Sequence, residues 1–236
     1  MNNIYPNFKK EVRTYFNSPI AYIVLTVFLL ISGYFFASPL FLNNQADLRT
    51  AFGVIPFIFI FFVPAITMRL LAEEKKSGTL EVLVTMPVKD VEVILGKFGA
   101  ALVLLVVAIG LTLTYVLTIS LLGNADGGPI VGGYLGLILM GATYLAIGIY
   151  TSSVTENQIV AFIISFLIIF ALFMLDKVLM FVPGGLVSIL EYLAMDYHFS
   201  NIARGVIDTR DLIYYLSLIF LGLFLATRTL ASRKAA

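Results

Sequence analysis

The amino-acid sequence predicts an all-α integral membrane protein with six transmembrane helices. Hydrophobic residues make up 60% of the chain and charged residues 12%, whereas soluble domains have about 45–50% and about 25%. Six apolar runs are each long enough to cross a bilayer, which takes about 20 residues of helix. The 236 residues leave room for a single membrane domain over residues 1–236 and for no sizeable soluble core.

Residues 1–18 predict a helix that lies along the membrane surface before the first span. Apolar and basic side chains can occupy different faces of it, with Phe8, Val12, Tyr15 and Phe16 on one and Lys9, Lys10 and Arg13 on the rest. Amphipathic helices of this kind bind at the interface. A cleaved signal peptide is the alternative, but the apolar run over residues 20–36 is longer and later than a usual signal-peptide core.

The six spans are predicted at residues 20–39, 52–71, 91–122, 131–152, 158–181 and 212–230. Pro56 and Pro64 are expected to break span 2, because proline lacks a backbone donor and clashes with the preceding turn. Span 3 would be about 45 Å long at 1.5 Å per residue, so its first turns are expected to project from the membrane. An even number of spans places both termini on one side.

Lysine and arginine indicate which side faces the cytoplasm. If the N-terminus is inside, the 15 basic residues all fall on the inner side except Arg49, Lys177, Arg204 and Arg210. This distribution follows the positive-inside rule. Both termini and the connection between spans 2 and 3 are therefore predicted to be cytoplasmic.

The polar stretch over residues 73–97 predicts a short amphipathic helix at residues 77–86 between spans 2 and 3. Leu80, Leu83 and Val84 fall on one helical face. Ser77 or Thr79 can cap its start and Pro87 cannot continue it, while Asp90 is expected to cap span 3. The apolar face requires a cover, and we expect another protein rather than lipid headgroups. An ordinary cytosolic loop is the alternative.

Span 4 contains small residues at regular spacing. Small residues recur in span 4, with Gly132 and Gly136 four apart, as are Gly148 and Ser152; this spacing lets helices approach closely. Packing within the subunit is expected, and contact with a second copy is the alternative.

Residues 182–211 predict a re-entrant or surface-lying pair of short helices at the outer face, with Asp211 capping span 6.

Several function classes lack the residues they require. The spans are almost free of ionisable groups apart from Asp176 and Lys177, which disfavours an ion-coupled carrier or a polar channel. The sequence has no cysteine and one histidine, so a multi-histidine metal site within one chain is impossible. The Gly96-Lys97 pair lacks the other residues of a P-loop. Energy from ATP would therefore have to come from a partner that binds the nucleotide.

The run from Glu73 to Leu83, reading EEKKSGTLEVL, followed by Met86-Pro87-Val88, resembles the signature of ABC-2 type transporter permeases. The outer run from His198 to Asp211 is similar to the gliding-motility-type branch and to the branch that serves nitrous oxide reductase maturation. In this family the first motif forms a coupling helix that docks in a groove of the ATPase. The resemblance covers essentially the whole chain.

The resemblance implies a non-enzymatic permease subunit in the bacterial cytoplasmic membrane. The chain itself would bind no cofactor, and ATP and Mg would be held by two cytoplasmic ABC ATPase subunits. A second permease copy, most simply giving a homodimer, is implied, and an auxiliary periplasmic or membrane subunit is possible; no nucleic acid is expected. The short inner loop 151–157 would supply a small second coupling contact through Ser152, Ser153 and Glu156.

The motif assigns roles to individual residues of the coupling helix. Leu80, Leu83 and Val84 would fill the ATPase groove, and Glu74 and Glu81 would pair with basic groups on its rim. Gly78 would permit the tight turn into the helix, or is an ordinary turn glycine. The remaining motif positions are Thr79 and Pro87.

The outer region offers residues with two interpretations each. His198, with Asp196 nearby, could bind a metal, but a histidine hydrogen-bonded to the outer loop is expected. Arg204, Asp208, Arg210 and Asp211 are expected to form a salt-bridge network rather than a substrate site. Asp176 and Lys177 are expected to form a snorkelling pair.

Three functions of different classes remain after the sequence analysis. The first is the membrane subunit of an ATP-driven exporter, or of a complex that uses ATP without moving a solute. The second is a secondary carrier or channel, which the charge-free spans disfavour. The third is a scaffold that assembles other membrane proteins. An apolar pathway fits a lipid, a lipid-linked molecule or a hydrophobic drug, and equally a cargo delivered by a partner.

Overall fold

The computed structural model describes residues 4–42, 47–79, 89–123, 126–178 and 184–234. Within these ranges the regular structure is entirely helical. The helices are α1 (Ile4–Asn17), α2 (Pro19–Leu42), α3 (Arg49–Thr67), α4 (Ala72–Lys76), α5 (Asp90–Leu111), α6 (Leu113–Leu122), α7 (Gly127–Val154), α8 (Gln158–Val178), α9 (Gly184–Leu193), α10 (Met195–Ala203) and α11 (Thr209–Lys234).

Six stretches of helix in the described residues are long and apolar enough to cross a membrane. They are Pro19–Leu42, Arg49–Lys76, Asp90–Leu122, Gly127–Val154, Gln158–Val178 and Thr209–Ser232. The six predicted spans are thereby confirmed as apolar helices, with ends shifted by a few residues. The chain is a multi-pass membrane protein.

Helices α3 and α7 form the centre of the bundle. They are the two most buried spans, and α7 packs against α3, α5, α8, α10 and α11. Two glycines of α7 permit this packing. A Cβ on Gly148 would lie 2.1 Å from Thr67 Oγ1, and one on Gly132 would lie 2.1 Å from the carbonyl oxygen of Ile202. The small residues of span 4 therefore pack within the subunit, as expected.

The predicted break in span 2 is wrong. Helix α3 runs without interruption through Pro56 and Pro64. Each proline removes a single backbone donor, and tight packing of Phe59, Ile60 and Val63, all fully buried, holds the helix on both sides. Prolines are tolerated in membrane helices for this reason.

Span 3 instead contains a break that the sequence analysis missed. Helix α5 ends at Leu111 and α6 begins at Leu113. The carbonyl oxygen of Thr112, at the junction, accepts a hydrogen bond of 2.9 Å from the Tyr134 hydroxyl. The same carbonyl also accepts the Tyr115 N–H at 2.9 Å, so it bonds to both α6 and α7.

Two helix starts differ from their predicted caps. Helix α5 begins at Asp90 itself, and the Glu92 carboxylate accepts the Lys89 N–H at 3.2 Å. Helix α11 begins at Thr209, and Asp208 Oδ1 accepts the Arg210 N–H at 2.9 Å. Asp90 and Asp211 are therefore not the capping residues, because both lie inside their helices.

The connection before span 6 contains the expected pair of short helices, α9 and α10. Met195, Phe199 and Ile202 of α10 are buried, and α10 packs against α7 and α8. We call this the His198 end of the bundle. The opposite end, where α1, α4 and the start of α5 meet, is called the Lys97 end.

Candidate coupling site

The structure describes only the first part of the predicted coupling segment. Glu74, Gly78 and Thr79 lie in α4 and the turn that follows it, whereas Leu80, Glu81, Leu83, Val84 and Pro87 lie outside the described residues. Gly78 has a φ of +71°, a left-handed conformation that favours glycine. We call residues 72–79 the α4 segment, because it carries the chain directly into the motif.

Lys97 fastens the α4 segment to two other helices. Its Nζ lies 2.9 Å from Glu11 Oε1 of α1 and 2.8 Å from Glu74 Oε1 of α4. The lysine side chain is only 2% exposed. The resulting cluster of Glu11, Lys97 and Glu74, the Lys97 triad, joins the N-terminal helix, the α4 segment and span 3.

The triad is costly to break once it has formed. A buried ion pair gives little net stability compared with apolar packing, but removing one partner leaves an uncompensated buried charge and is costly. Two carboxylates share one ammonium group here, and Glu74 Oε2 is buried without a hydrogen-bond partner. Glu74, assigned above to the ATPase rim, is in this structure paired inside the chain.

Ser152 at the end of α7 holds the other side of the α4 segment. Its Oγ accepts the N–H groups of Leu71 and Ala72, both at 3.1 Å, and donates to the Met68 carbonyl at 3.0 Å. The side chain is fully buried. These bonds satisfy backbone groups at the junction of α3 and α4, where the helical ladder is interrupted.

The expected second coupling contact in loop 151–157 requires correction. Ser152 and Ser153 are both fully buried, and the Ser153 carbonyl accepts a hydrogen bond from Lys75 Nζ. The Ser152 side chain is therefore bonded to the junction of α3 and α4, and the Ser153 hydroxyl donates to the Tyr150 carbonyl of its own helix, so both are buried inside the chain. Of the three residues named, Glu156 is the exposed one.

Helix α1 is also bonded directly to span 2. The Tyr15 hydroxyl donates to the Ile66 carbonyl at 3.0 Å. Burial raises the pKa of Tyr15, and the nearby Glu11 carboxylate raises it further, so the phenol remains a protonated donor. The Lys97 end is therefore a bonded assembly of α1, α3, α4, α5 and α7.

At the His198 end, His198 is buried and bonded through both ring nitrogens. Nε2 lies 2.9 Å from the Tyr192 carbonyl oxygen, to which it must donate, and Nδ1 lies 2.6 Å from Asp211 Oδ1. The ring stacks on Tyr214 with centroids 4.0 Å apart. Both ring nitrogens are thus engaged within the chain, and the part of the chain that the structure describes contains no group of three metal-ligating side chains.

The other outer residues do not join this pair. Asp196 binds Lys177 at 2.6 Å, and Lys177 also contacts Asp176 at 3.1 Å. Arg204 and Arg210 are exposed, and over the described residues neither forms an ion pair with Asp208 or Asp211. The expected salt-bridge network is therefore replaced by a buried His198–Asp211 pair, because Asp211 faces inwards from the first turn of α11.

Replacing His198 by phenylalanine is expected to destabilise the protein by about 1–3 kcal/mol, the cost of an unsatisfied buried polar group. The aromatic ring would keep its contact with Tyr214, but Asp211 would lose its partner. Adding Asp211→Leu to His198→Phe should recover stability, measured as the thermal unfolding midpoint in detergent. A double variant no more stable than His198→Phe would contradict the role of this pair.

The chain was compared with curated proteins and with models of protein families. The comparison with curated proteins gave no match. The family described as ABC-2 family transporter protein matches residues 39–232, which include all of α3 to α10 and most of α11. This match covers well over half of the sequence, so the chain belongs to the ABC-2 family of transporter proteins, as a membrane subunit that is not itself catalytic.

Proposed function

We propose that the chain is the permease subunit of an exporter-like complex, and that it converts ATP hydrolysis by a separate cytoplasmic ATPase into movement of its membrane helices. The observation that supports this most is the Lys97 triad together with Ser152. The α4 segment carries the first residues of the motif. Glu74 binds it to Lys97 of α5, Lys97 in turn binds Glu11 of α1, and Ser152 of α7 accepts the Ala72 N–H. A displacement of the motif by a partner would be transmitted to those helices.

The motif helix, predicted at residues 77–86, is the proposed docking element. Because Ser77 and Gly78 lie in the turn after α4, this helix would begin at Thr79 or later. Leu80, Leu83 and Val84 would fill a groove of the ATPase, and Glu81 would pair with a basic group on its rim. We now assign Glu74 to positioning, because its carboxylate holds Lys97 at 2.8 Å. The complex would contain two ATPase subunits, which hold ATP and Mg, and two copies of this chain.

The basic residues support the proposed orientation. With the Lys97 end in the cytoplasm of a bacterium, both termini would be cytoplasmic. Helix α1 would lie along the inner surface of the membrane, and α9 and α10 would form a re-entrant region at the outer surface. We also propose that the chain is similar to the gliding-motility branch and to the branch that serves nitrous oxide reductase maturation. The complex could then include an auxiliary subunit at the outer side.

Purification of the tagged chain from native membranes tests this function. We expect a nucleotide-binding protein to co-purify in a one-to-one ratio, with ATP hydrolysis that depends on Mg. A chain that remains folded in detergent but retains no ATP-hydrolysing partner would contradict the proposal and favour the scaffold function. Reconstitution with the partner then separates solute export from a purely mechanical role.

A further inference from the structure

A polar cleft opens at the Lys97 end between α1, the start of α2, the end of α3 and α4. Its volume is about 270 Å³. Hydroxyl and charged groups line the mouth, among them Lys10, Ser18, Arg69, Glu73 and Thr79. Deeper in, apolar residues such as Val24 and Leu104 share the wall with the buried Lys97 triad. The cleft therefore combines charged and apolar groups.

An apolar groove between α2 and α3 lies next to this cleft. The groove has a volume of about 620 Å³ and a lining that is almost wholly aliphatic and aromatic, including Val27, Phe57 and Phe61. Val24 and Ala65 line both spaces, so the two are adjacent.

The groove is close to one leaflet of a bilayer in length. Along α2 it extends from Ile23 to Phe35, about 18 Å at 1.5 Å per residue. Half of the hydrocarbon core of a bilayer is about 15 Å thick. Phe57 and Phe61 are nearly half exposed, at 45% and 46%, so the groove is open to the surroundings of the bundle.

The cleft is lined by charged groups of both signs, with Lys10 and Arg69 beside Glu73, which suits a headgroup that carries both a phosphate and an ammonium. Arg69 uses its Nε to hold Glu73 at 3.1 Å, while its Nη1 lies 3.5 Å from Ser18 Oγ, so the guanidinium is held in place beside the cleft. Lys10 is exposed on α1 and makes no ion pair with any residue that the structure describes. Lys97, in contrast, is fully engaged by its two carboxylates.

From this arrangement we propose that the cleft and groove together bind one glycerophospholipid. Its phosphate contacts Arg69 and Lys10, and one acyl chain lies between α2 and α3. Charge-assisted hydrogen bonds from arginine fit phosphate oxygens, and the apolar lining covers the chain. A headgroup with an ammonium, such as ethanolamine, would also meet Glu73. The lipid would touch α1 and the α4 segment at once, and the site does not depend on an ATPase partner.

Native mass spectrometry of the chain purified in mild detergent tests the site. Gly53 lines the groove and has no atom within 4 Å of the position of a Cβ, so Gly53→Leu should fill the groove without disturbing the helix. Lys10→Gln combined with Arg69→Gln removes the phosphate contacts. Lys9→Gln, an exposed lysine of the same helix, and Gly110→Leu, at a similarly open glycine outside the groove, are the matched controls.

We expect one phospholipid per wild-type chain, retained in both controls and reduced about ten-fold or more by either test change. Addition of phosphatidylethanolamine and of phosphatidylglycerol to delipidated protein distinguishes the headgroups; stronger binding of either one supports the site. Equal lipid retention in all variants would mean that only loosely surrounding lipid is bound, and would overturn the proposal. A second copy cross-linked across the groove through position 31 would overturn it as well.

Discussion

Replacing Lys97 by methionine is expected to cost about 3–5 kcal/mol of folding free energy, the usual penalty for breaking a buried ion pair. Methionine has nearly the length of lysine, so the loss would arise from the missing charge and not from a cavity. Glu11 and Glu74, whose side chains are only 9% and 18% exposed, would face each other without a cation. The measurement is the yield of monodisperse protein and its thermal unfolding midpoint in detergent.

Removing the negative charges as well should reverse this loss. The variant that combines Lys97→Met with Glu11→Gln and Glu74→Gln is expected to fold, because it contains no uncompensated charge. Lys9→Met, a change of the same type at an exposed lysine of α1, should leave stability unchanged. If Lys97→Met were as stable as the wild type, the triad could not hold α1, α4 and α5 together.

Replacing Leu83 by aspartate is expected to weaken binding of the ATPase roughly 30-fold or more, the effect of losing one central contact of an interface. A carboxylate placed on the apolar face of the motif helix would have to be buried in the groove without a partner. Transport and partner-stimulated ATP hydrolysis should both fall, while the chain itself remains folded. Affinity of the purified partner and its hydrolysis rate are the two measurements.

Thr85→Asp provides the matched control for this change. At 100° per residue, Thr85 would lie on the side of the proposed helix away from Leu80, Leu83 and Val84. It introduces the same charge in the same segment, so it should reduce binding little. An equal loss of ATPase affinity in both variants would indicate general disruption of the segment. If neither variant lost affinity, the face formed by Leu80, Leu83 and Val84 would not be the docking surface.

The spans were predictable from the sequence because a membrane imposes length and hydrophobicity on each of them. The paired short helices before span 6 followed from patterned apolar residues. The break at Thr112 was not predicted, because the apolar pattern of span 3 continues through this position; the Tyr134 hydroxyl that bonds to the Thr112 carbonyl comes from another helix. The prediction that Pro56 and Pro64 break span 2 was wrong because the packing around α3 outweighs the low helix propensity of proline.

The contacts at the Lys97 end were not predicted either, because they join residues that are far apart in the sequence. Lys97 is 86 residues from Glu11 and 23 from Glu74 in the sequence, and no local pattern relates such distant positions. One signal was present: Lys97 falls within predicted span 3, where a charged side chain requires a partner. His198 was recognised as notable, but its partner Asp211 was assigned to a cap because its position near a helix start is also typical of capping residues.

The most direct test of the account is photo-cross-linking from two positions of the intact complex in native membranes. A photoreactive residue is placed at position 83, in the motif helix, or at position 207, which is exposed at the His198 end. The account predicts an adduct with a nucleotide-binding protein from position 83 and none from position 207. No such adduct from position 83, in membranes where the partner is present and active, would contradict the claim that this segment couples the chain to an ATPase.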